Sequence, residues 1–369
     1  MESVRIRSAQ AFGLSLPLAK PVLMAGVRLE RSETLIIRLE SETGCIGWGE
    51  ANAAPSHGGA TLPEMHQAWD SVLWPGLKDS DALGLGALSQ ILATDLSSGQ
   101  SAATAVDMAL HDLVGKHLGV PVHVLLGGKR RSAVAALWLI GTGARDTDLA
   151  EAARRFSEGY RFFKLKVGVR AVEEEVGLAV ALRERLGPEL RLCADANMGM
   201  TADQAIRYAQ GVLPARLEFF EQPLHKDDLE GLKRLLAAKL IPVGLDESLT
   251  SMDALLSHVA LGTHGGSLKT LKLGGISGVA AAAQVCAAHR QHINLAGKIA
   301  ETGIASAALI HLAGVVPNMD WGVSPSHSYL AQDIVRQPVT PLRGVYQVPC
   351  EPGLGVEVDE SLLEHFRIS

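Results

Sequence analysis

The chain has 369 residues, 47 % of them hydrophobic, and a formal net charge of −6. At about 150 residues per domain this length suggests two domains with ample apolar material for their cores, and the acidic balance offers no general basic surface for nucleic acid. The cysteines, Cys45, Cys193, Cys286 and Cys350, are scattered without a close pair, which speaks against a disulfide framework or a thiolate metal site and fits a reducing, cytoplasmic setting.

From the N-terminus, Val4 to Leu14 and Glu33 to Leu39 read as strands, with Cys45-Ile46-Gly47-Trp48-Gly49-Glu50 as a third, so an antiparallel meander is expected. Pro17 and Lys20 interrupt the apolar run from Ala11, so no secretory leader is expected, and no stretch is long enough to span a membrane. Ala19 to Arg31 and Ala51 to Ala60 read as loops by composition. Ala102, Ala105, Met108, Ala109 and Leu113 then recur at helical spacing, which suggests a small α+β domain ending near Leu126-Gly127-Gly128.

Past that glycine pair, short apolar runs alternate with longer helical ones. Strands are expected near Val134 to Ile140, Phe162 to Val167, Leu190 to Ala194, Leu217 to Phe220, Ile241 to Leu245, Leu268 to Leu273, Ile293 to Ala296 and Met319 to Gly322, with helices such as Asp148 to Gly159 and Asp203 to Val212 between them. A TIM-like (β/α) barrel accommodates these units economically, and in such barrels the chemistry sits at the C-terminal ends of the strands.

Lys164 and Lys166 share one face of the second of these strands, because side chains alternate along it. Two ammonium groups crowded on a buried face predict a lysine with a depressed pKa, usable as a proton acceptor; a half-exposed strand with two solvated lysines is the plainer alternative. The following strand ends carry Asp195, Glu221 and Asp246, and Lys269 lies on the sixth strand. Their separation matches one βα unit, which sets them side by side around one mouth. Three carboxylates meeting there predict a hard divalent cation, Mg2+ or Mn2+.

With these residues in place, the chain resembles the enolase superfamily, and within it the muconate lactonizing enzyme (muconate cycloisomerase) subgroup. The resemblance rests on Lys164-Leu165-Lys166, Asp195-Ala196-Asn197, Glu221-Gln222-Pro223, Asp246-Glu247-Ser248 and Lys269-Thr270-Leu271-Lys272-Leu273-Gly274-Gly275. Gly47-Trp48-Gly49-Glu50, Leu125-Leu126-Gly127-Gly128 and Pro352-Gly353-Leu354-Gly355 extend it over nearly the whole length. It implies a modified (β/α)7β barrel over residues 129–325, capped by an α+β domain built from residues 1–128 and a returning segment, 326–369. It also implies a homo-oligomer, from dimer to octamer, that acts on a small carboxylate substrate.

The reaction implied is proton transfer at the carbon next to a carboxylate, through an enediolate. The resemblance gives Asp195, Glu221 and Asp246 to the metal, Lys166 and Lys269 to acid/base work on opposite faces, and Lys164 to charge stabilisation beside the substrate. Asn197 reads as supporting that centre or as a turn former, and Glu247 as facing away from Asp246 with a buried lysine as its conjectured partner. Glu301 stands where lactonizing enzymes carry a proton donor, or simply at a helix start. Lys298 either pairs locally or meets a second anionic group of a dicarboxylate. Asn294 and Leu295 stand where the mandelate racemase subgroup would place its His, which argues against that subgroup and its acid-sugar dehydratases. Trp138-Leu139-Ile140-Gly141-Thr142-Gly143 and Trp321-Gly322 are similar to muconate and chloromuconate cycloisomerases. Racemisation or epimerisation of N-substituted amino acids or dipeptides, and an o-succinylbenzoate synthase-type dehydration, are the alternatives. From other classes, a barrel aldolase or hydrolase lacks His ligands here, and the lysines on both sides argue against a non-catalytic metal-binding relative.

Overall fold

Strand β1 (Ile6–Met24) turns back into β2 (Val27–Ser41), which pairs with β3 (Ile46–Asn52) in an antiparallel three-stranded sheet. The computed structural model describes residues 3–24, 27–55, 59–88, 92, 100–141 and 144–368. The hairpin is longer than its composition suggests: within Ala19 to Arg31, residues 25 and 26 lie outside the described residues, and the remainder is strand rather than loop, pairing resuming at Val22 with Leu29 after an irregularity at Pro17. β1 lies at the sheet edge, where a proline without an N–H is tolerated. Within Ala51 to Ala60, residues 56–58 lie outside the described residues.

Helix α1 (Leu62–Ala68) opens with a capping box between Thr61 and Glu64. Helix α2 (Gln100–Leu118) then lies on β3. The approach is so close that a Cβ on Gly49 would collide with the Ala105 carbonyl, and it buries Ala102, Ala105, Met108, Ala109 and Leu113 completely. A short helix α3 (Val122–Leu125) leads out of this layer.

Val134 to Ile140 is two strands rather than one. β4 (Ala133–Ala135) pairs antiparallel with β13 (Val345–Gln347), and β5 (Leu137–Ile140) begins the barrel. The chain continues through α4 (Arg145–Ser157), β6 (Phe162–Lys166), α5 (Val172–Leu186), β7 (Arg191–Asp195), α6 (Ala202–Gly211) and β8 (Phe220–Glu221). Next come α7 (Leu229–Ala238), β9 (Val243–Leu245), α8 (Met252–Leu261), β10 (Gly265–Leu268), the single turn α9 (Thr270–Leu273) and α10 (Gly275–Ala288). β11 (His292–Ala296), α11 (Gly303–Val315) and β12 (Val323–Ser324) complete it. Strands β5 to β12 form one parallel sheet in chain order, and a bridge between Ala136 and Val323 draws its ends together. This is the (β/α)7β barrel with a separate antiparallel cap.

Two strands are displaced from their expected places. Leu268 to Leu273 is not a strand: the sixth strand ends at Leu268, and Thr270 to Leu273 is helical. Its first residues, Gly265 and Gly266, are too tightly packed for side chains, so the apolar signal falls after the true strand. The eighth strand is Val323–Ser324, just after Met319 to Gly322; the approach to it already bonds β11, Trp321 N–H donating to the Ile293 carbonyl at 3.1 Å, while the Trp321 side chain fills the base of the barrel.

The C-terminal segment returns to the first sheet. α12 (Glu360–Phe366) packs on β1, and Ile368 N–H donates to the Gly13 carbonyl at 2.8 Å. Among the described residues no helix is long and apolar enough to cross a membrane.

Candidate active site

Alternation along β6 places Phe162, Lys164 and Lys166 on one face, and in the closed ring that face is the interior. The lowest interior layer is apolar: Leu137, Phe162, Cys193, Phe219 and Trp321 cluster there, with the Phe219 and Trp321 ring centroids 4.0 Å apart. One step up the interior becomes polar. Lys164 forms an ion pair with Glu221, whose other oxygen lies 2.5 Å from Ser267 Oγ. Ser267 also bonds Asn294 Oδ1 at 2.9 Å, and Asn294 Nδ2 donates to the carbonyls of Trp321 and Gly322.

At the C-terminal mouth the charges interleave. Lys166 Nζ donates to Asp195 Oδ2 at 2.5 Å, and Lys269 Nζ to Asp246 Oδ2 at 2.8 Å. Asp195 and Glu221 are direct partners in the β7–β8 ladder, and Asp246 follows β9 at once. In ring order the carboxylates therefore occupy three consecutive strands, and Lys166 and Lys269 flank them on strands four places apart in an eight-stranded sheet, hence across the barrel.

All three carboxylates are buried, and burial alone would raise their pKa values. Glu221 does end raised, but Lys166 and Lys164 hold Asp195 below the ordinary carboxylate range, and Lys269 and Lys272 do the same for Asp246. The reverse holds for the lysines. Burial would lower Lys164 and Lys269, yet Glu221 raises the first and Asp246 the second above an ordinary lysine. At Lys164 the facing carboxylates therefore outweigh the effect of burial.

The same charges test the fit of a divalent cation. Asp195 and Asp246 both push Glu221 upward, and Asp246 pushes Asp195 upward, so the carboxylates are close enough to repel. Each is turned to an ammonium, so among the described residues no three acidic, His or Cys side chains point at a common centre. Three hard carboxylate oxygens on consecutive strands still match the chemistry of Mg2+ or Mn2+, and the residues fit such an ion.

The backbone of Asn197 is left-handed at φ +42°, and its amide bridges Lys166, which donates to Oδ1, and Glu247, which accepts from Nδ2 at 2.9 Å. Glu247 is not paired with a lysine as conjectured. Its Oε2 is buried without a partner, and burial, helped by Asp246 and Asp195, raises the group to about 7.

Glu301 follows β11 in the turn before α11. Its carboxyl lies where a Cβ on Gly297 would be, and burial, with the charge of Glu50 behind it, raises it to about 8. It is not the residue that caps α11; Thr302 does that. Lys298 Nζ donates to the carbonyl of Ala53 in the cap, and burial lowers it to about 8.

Some residues of this cluster carry no role in the sequence reading. Lys272 donates to Asp246 Oδ1 at 2.6 Å and to its carbonyl at 2.7 Å. On a strand Lys269 and Lys272 would face opposite ways; on the helical turn they share a side, so only a correct assignment of α9 reveals the second lysine. Gln222 Oε1 accepts from the backbone of Asp246 and Ser248, fixing the β9 end. Trp138 points away from the mouth, to Glu151 and Arg155 of α4, and Thr142 and Gly143 lie outside the described residues. Asp320 sits before β12, bonded to His292 at 2.5 Å, away from the strand end.

Residues 148–362 match the family described as enolase C-terminal domain-like, and residues 8–127 the mandelate racemase/muconate lactonizing enzyme N-terminal domain. The chain is 29 % identical to muconate cycloisomerase 1 of Pseudomonas putida over 99 % of both chains. It is 28 % identical to L-Ala-D/L-Glu epimerase of Bacillus subtilis over 96 % of this chain and 97 % of that one. Among solved structures, muconate lactonizing enzyme from Pseudomonas fluorescens complexed with muconolactone superposes with a TM-score of 0.91 at 26 % identity, all of both chains being covered. With lysines across a barrel mouth, carboxylates on the strands between them and both family domains matched in order, the chain belongs to the mandelate racemase/muconate lactonizing enzyme family of enolase-superfamily enzymes.

Proposed function

We propose that this enzyme moves a proton on the carbon next to a carboxylate of a small organic acid, as a cycloisomerase of muconate-like acids. The observation that supports it is the ring order Lys166, Asp195, Glu221, Asp246, Lys269, which leaves one ammonium on each side of a carboxylate-lined centre. Asp195, Glu221 and Asp246 would hold a divalent cation, which when bound draws electron density from the substrate carboxylate. Lys164 adds fixed positive charge beside that carboxylate, one layer below the mouth. In cycloisomerisation the distal carboxylate oxygen adds to the double bond to close the ring, and one of Lys166 and Lys269 delivers the proton to the carbon next to the held carboxylate; in inversion one takes that carbon's proton from one face and the other returns a proton to the opposite face. Asn197 and Glu247 orient Lys166, and Glu301, kept protonated by burial, supplies or receives a proton at a second substrate atom.

Opposed lysines also suit inversion at a single carbon, so racemisation of an N-acylated amino acid is the second reading. A free dipeptide amine is disfavoured: the residues ending β12 are Ser324, Pro325 and Ser326, without a carboxylate to meet an ammonium.

The test is proton exchange in D2O with Mg2+ or Mn2+, using cis,cis-muconate, N-acetyl-L-glutamate and L-Ala-L-Glu, followed by NMR. Deuterium is expected at the carbon next to the carboxylate in muconolactone, or at the α-carbon of the acylated amino acid, and EDTA should abolish it. No cation-dependent incorporation from any of the three would overturn the proposal.

A further inference from the structure

The turn bearing Lys298 and Glu301 is held from the cap. Glu50 of β3 is 0 % exposed, and its carboxylate reaches across to the start of α11. There it accepts from Thr302 N–H at 2.7 Å, Thr302 Oγ at 2.5 Å and Ala305 N–H at 3.1 Å. Asn52, two residues on along the same strand, donates to the carbonyls of Ile299 and Ala300, and Lys298 returns a bond to Ala53. Between these anchors Ala300 is forced to φ +60°, a left-handed conformation that a residue with a Cβ disfavours. A strained backbone persists only where its surroundings over-determine it, and here the determinants belong to the cap.

We infer that Glu50 is a positioning residue for the acid Glu301: from the cap it fixes the turn 298–302 over the barrel mouth, and so joins cap seating to the placement of the acid. This rests on the reading of Glu301 as an acid of the site. A carboxylate at Glu50 meets three donors at the start of α11, with the Thr34 hydroxyl of β2 a fourth at 3.4 Å, whereas a carboxamide would set its NH2 against one of the backbone N–H groups. Glu50 is itself raised to about 7 by burial, against the pull of Thr302 and Ala305, and in its ionised form it adds to the burial that raises Glu301.

The experiment compares wild type with Glu50→Gln in hydrogen exchange and in infrared spectra at pH 7. The amides of Thr302 and Ala305 should exchange at least roughly tenfold faster in the variant, while those of α2 keep their rates. The carbonyl band of protonated Glu301, identified by its loss in Glu301→Gln, should shift or vanish in Glu50→Gln. Unchanged exchange at Thr302 and Ala305 would overturn the anchoring, and loosened amides with an unmoved Glu301 band would reduce Glu50 to a structural cap and overturn the positioning role. Absence of that band in the wild type would instead remove the acid reading of Glu301, independently of the exchange result. Should Glu50→Gln not fold, Glu50→Asp keeps the charge and shortens its reach: faster exchange at Thr302 and Ala305 together with a shifted Glu301 band supports the proposal, and unchanged exchange or an unmoved band overturns it.

Discussion

Lys166 and Lys269 lie across the mouth from each other, so each is expected to serve one face of the reacting carbon. Lys166→Ala and Lys269→Ala should each lower turnover by about 10²-fold or more while leaving circular dichroism and thermal melting nearly unchanged. If the substrate is racemised, each variant should still exchange the α-proton of one enantiomer alone, which NMR in D2O reads directly. Full turnover in either variant would remove that lysine from the chemistry. Lys298 poses a different question. A buried ammonium whose bond is to the Ala53 carbonyl can exchange that neutral acceptor for a substrate anion, and such a contact contributes about 1.5 to 3 kcal/mol. Lys298→Met is therefore expected to raise KM for dicarboxylates roughly tenfold to a hundredfold and to spare monocarboxylate analogues. Equal kinetics for both substrate classes would show that this lysine does not read the substrate.

Helix α10 has no side-chain cap of its own, and the cap domain supplies one. Asp107 of α2 accepts from Ile276 N–H at 2.5 Å and Ser277 N–H at 3.2 Å, just past the turn that carries Lys269 and Lys272. Glu50 does the same for α11, so two consecutive barrel helices begin on carboxylates from the other domain. Asp107→Asn should cost about 1 kcal/mol in denaturant unfolding, and Asp107→Ala more, because it leaves buried N–H groups unpaired. Amide exchange at Ile276 and Ser277 checks the location; a loss of stability without faster exchange there would place the effect elsewhere. Such caps are hard to read in a sequence. A Ser, Thr or Asp immediately before a helix is a local signal, as at Thr201 and Thr302, but a carboxylate 169 residues away leaves no pattern.

Domain docking also involves a buried imidazole pair. His123 of α3 and His311 of α11 stack with ring centroids 5.4 Å apart and Nδ1 atoms 3.3 Å apart, and His311 Nε2 bonds the Leu354 carbonyl of the returning segment at 3.2 Å. Burial lowers both, His311 to about 4. The unfolded chain protonates these rings near pH 6.5, before the folded protein does, so stability is present above that pH and is lost as pH falls towards 4. For His311 the loss is on the order of 3 kcal/mol across that window. Urea midpoints measured between pH 7 and 4 should fall more steeply in wild type than in His311→Gln, and parallel curves would show that the pair does not titrate in this range.

The sequence by itself determined what depends on local geometry. Residue period fixed which side chains share a strand face, and the spacing of one βα unit set Lys166, Asp195, Glu221 and Asp246 at successive strand ends, where the structure has them. It failed where packing overrides period: glycines too crowded for side chains hid β10, and the turn at Thr270 brought Lys272 beside Lys269. Only the tertiary structure decided which ammonium faces which carboxylate, and that Glu50 and Asn52 of the cap grip the Glu301 turn. Those contacts join residues up to 255 positions apart, and they exist only because the ring closes and the cap seats over its mouth.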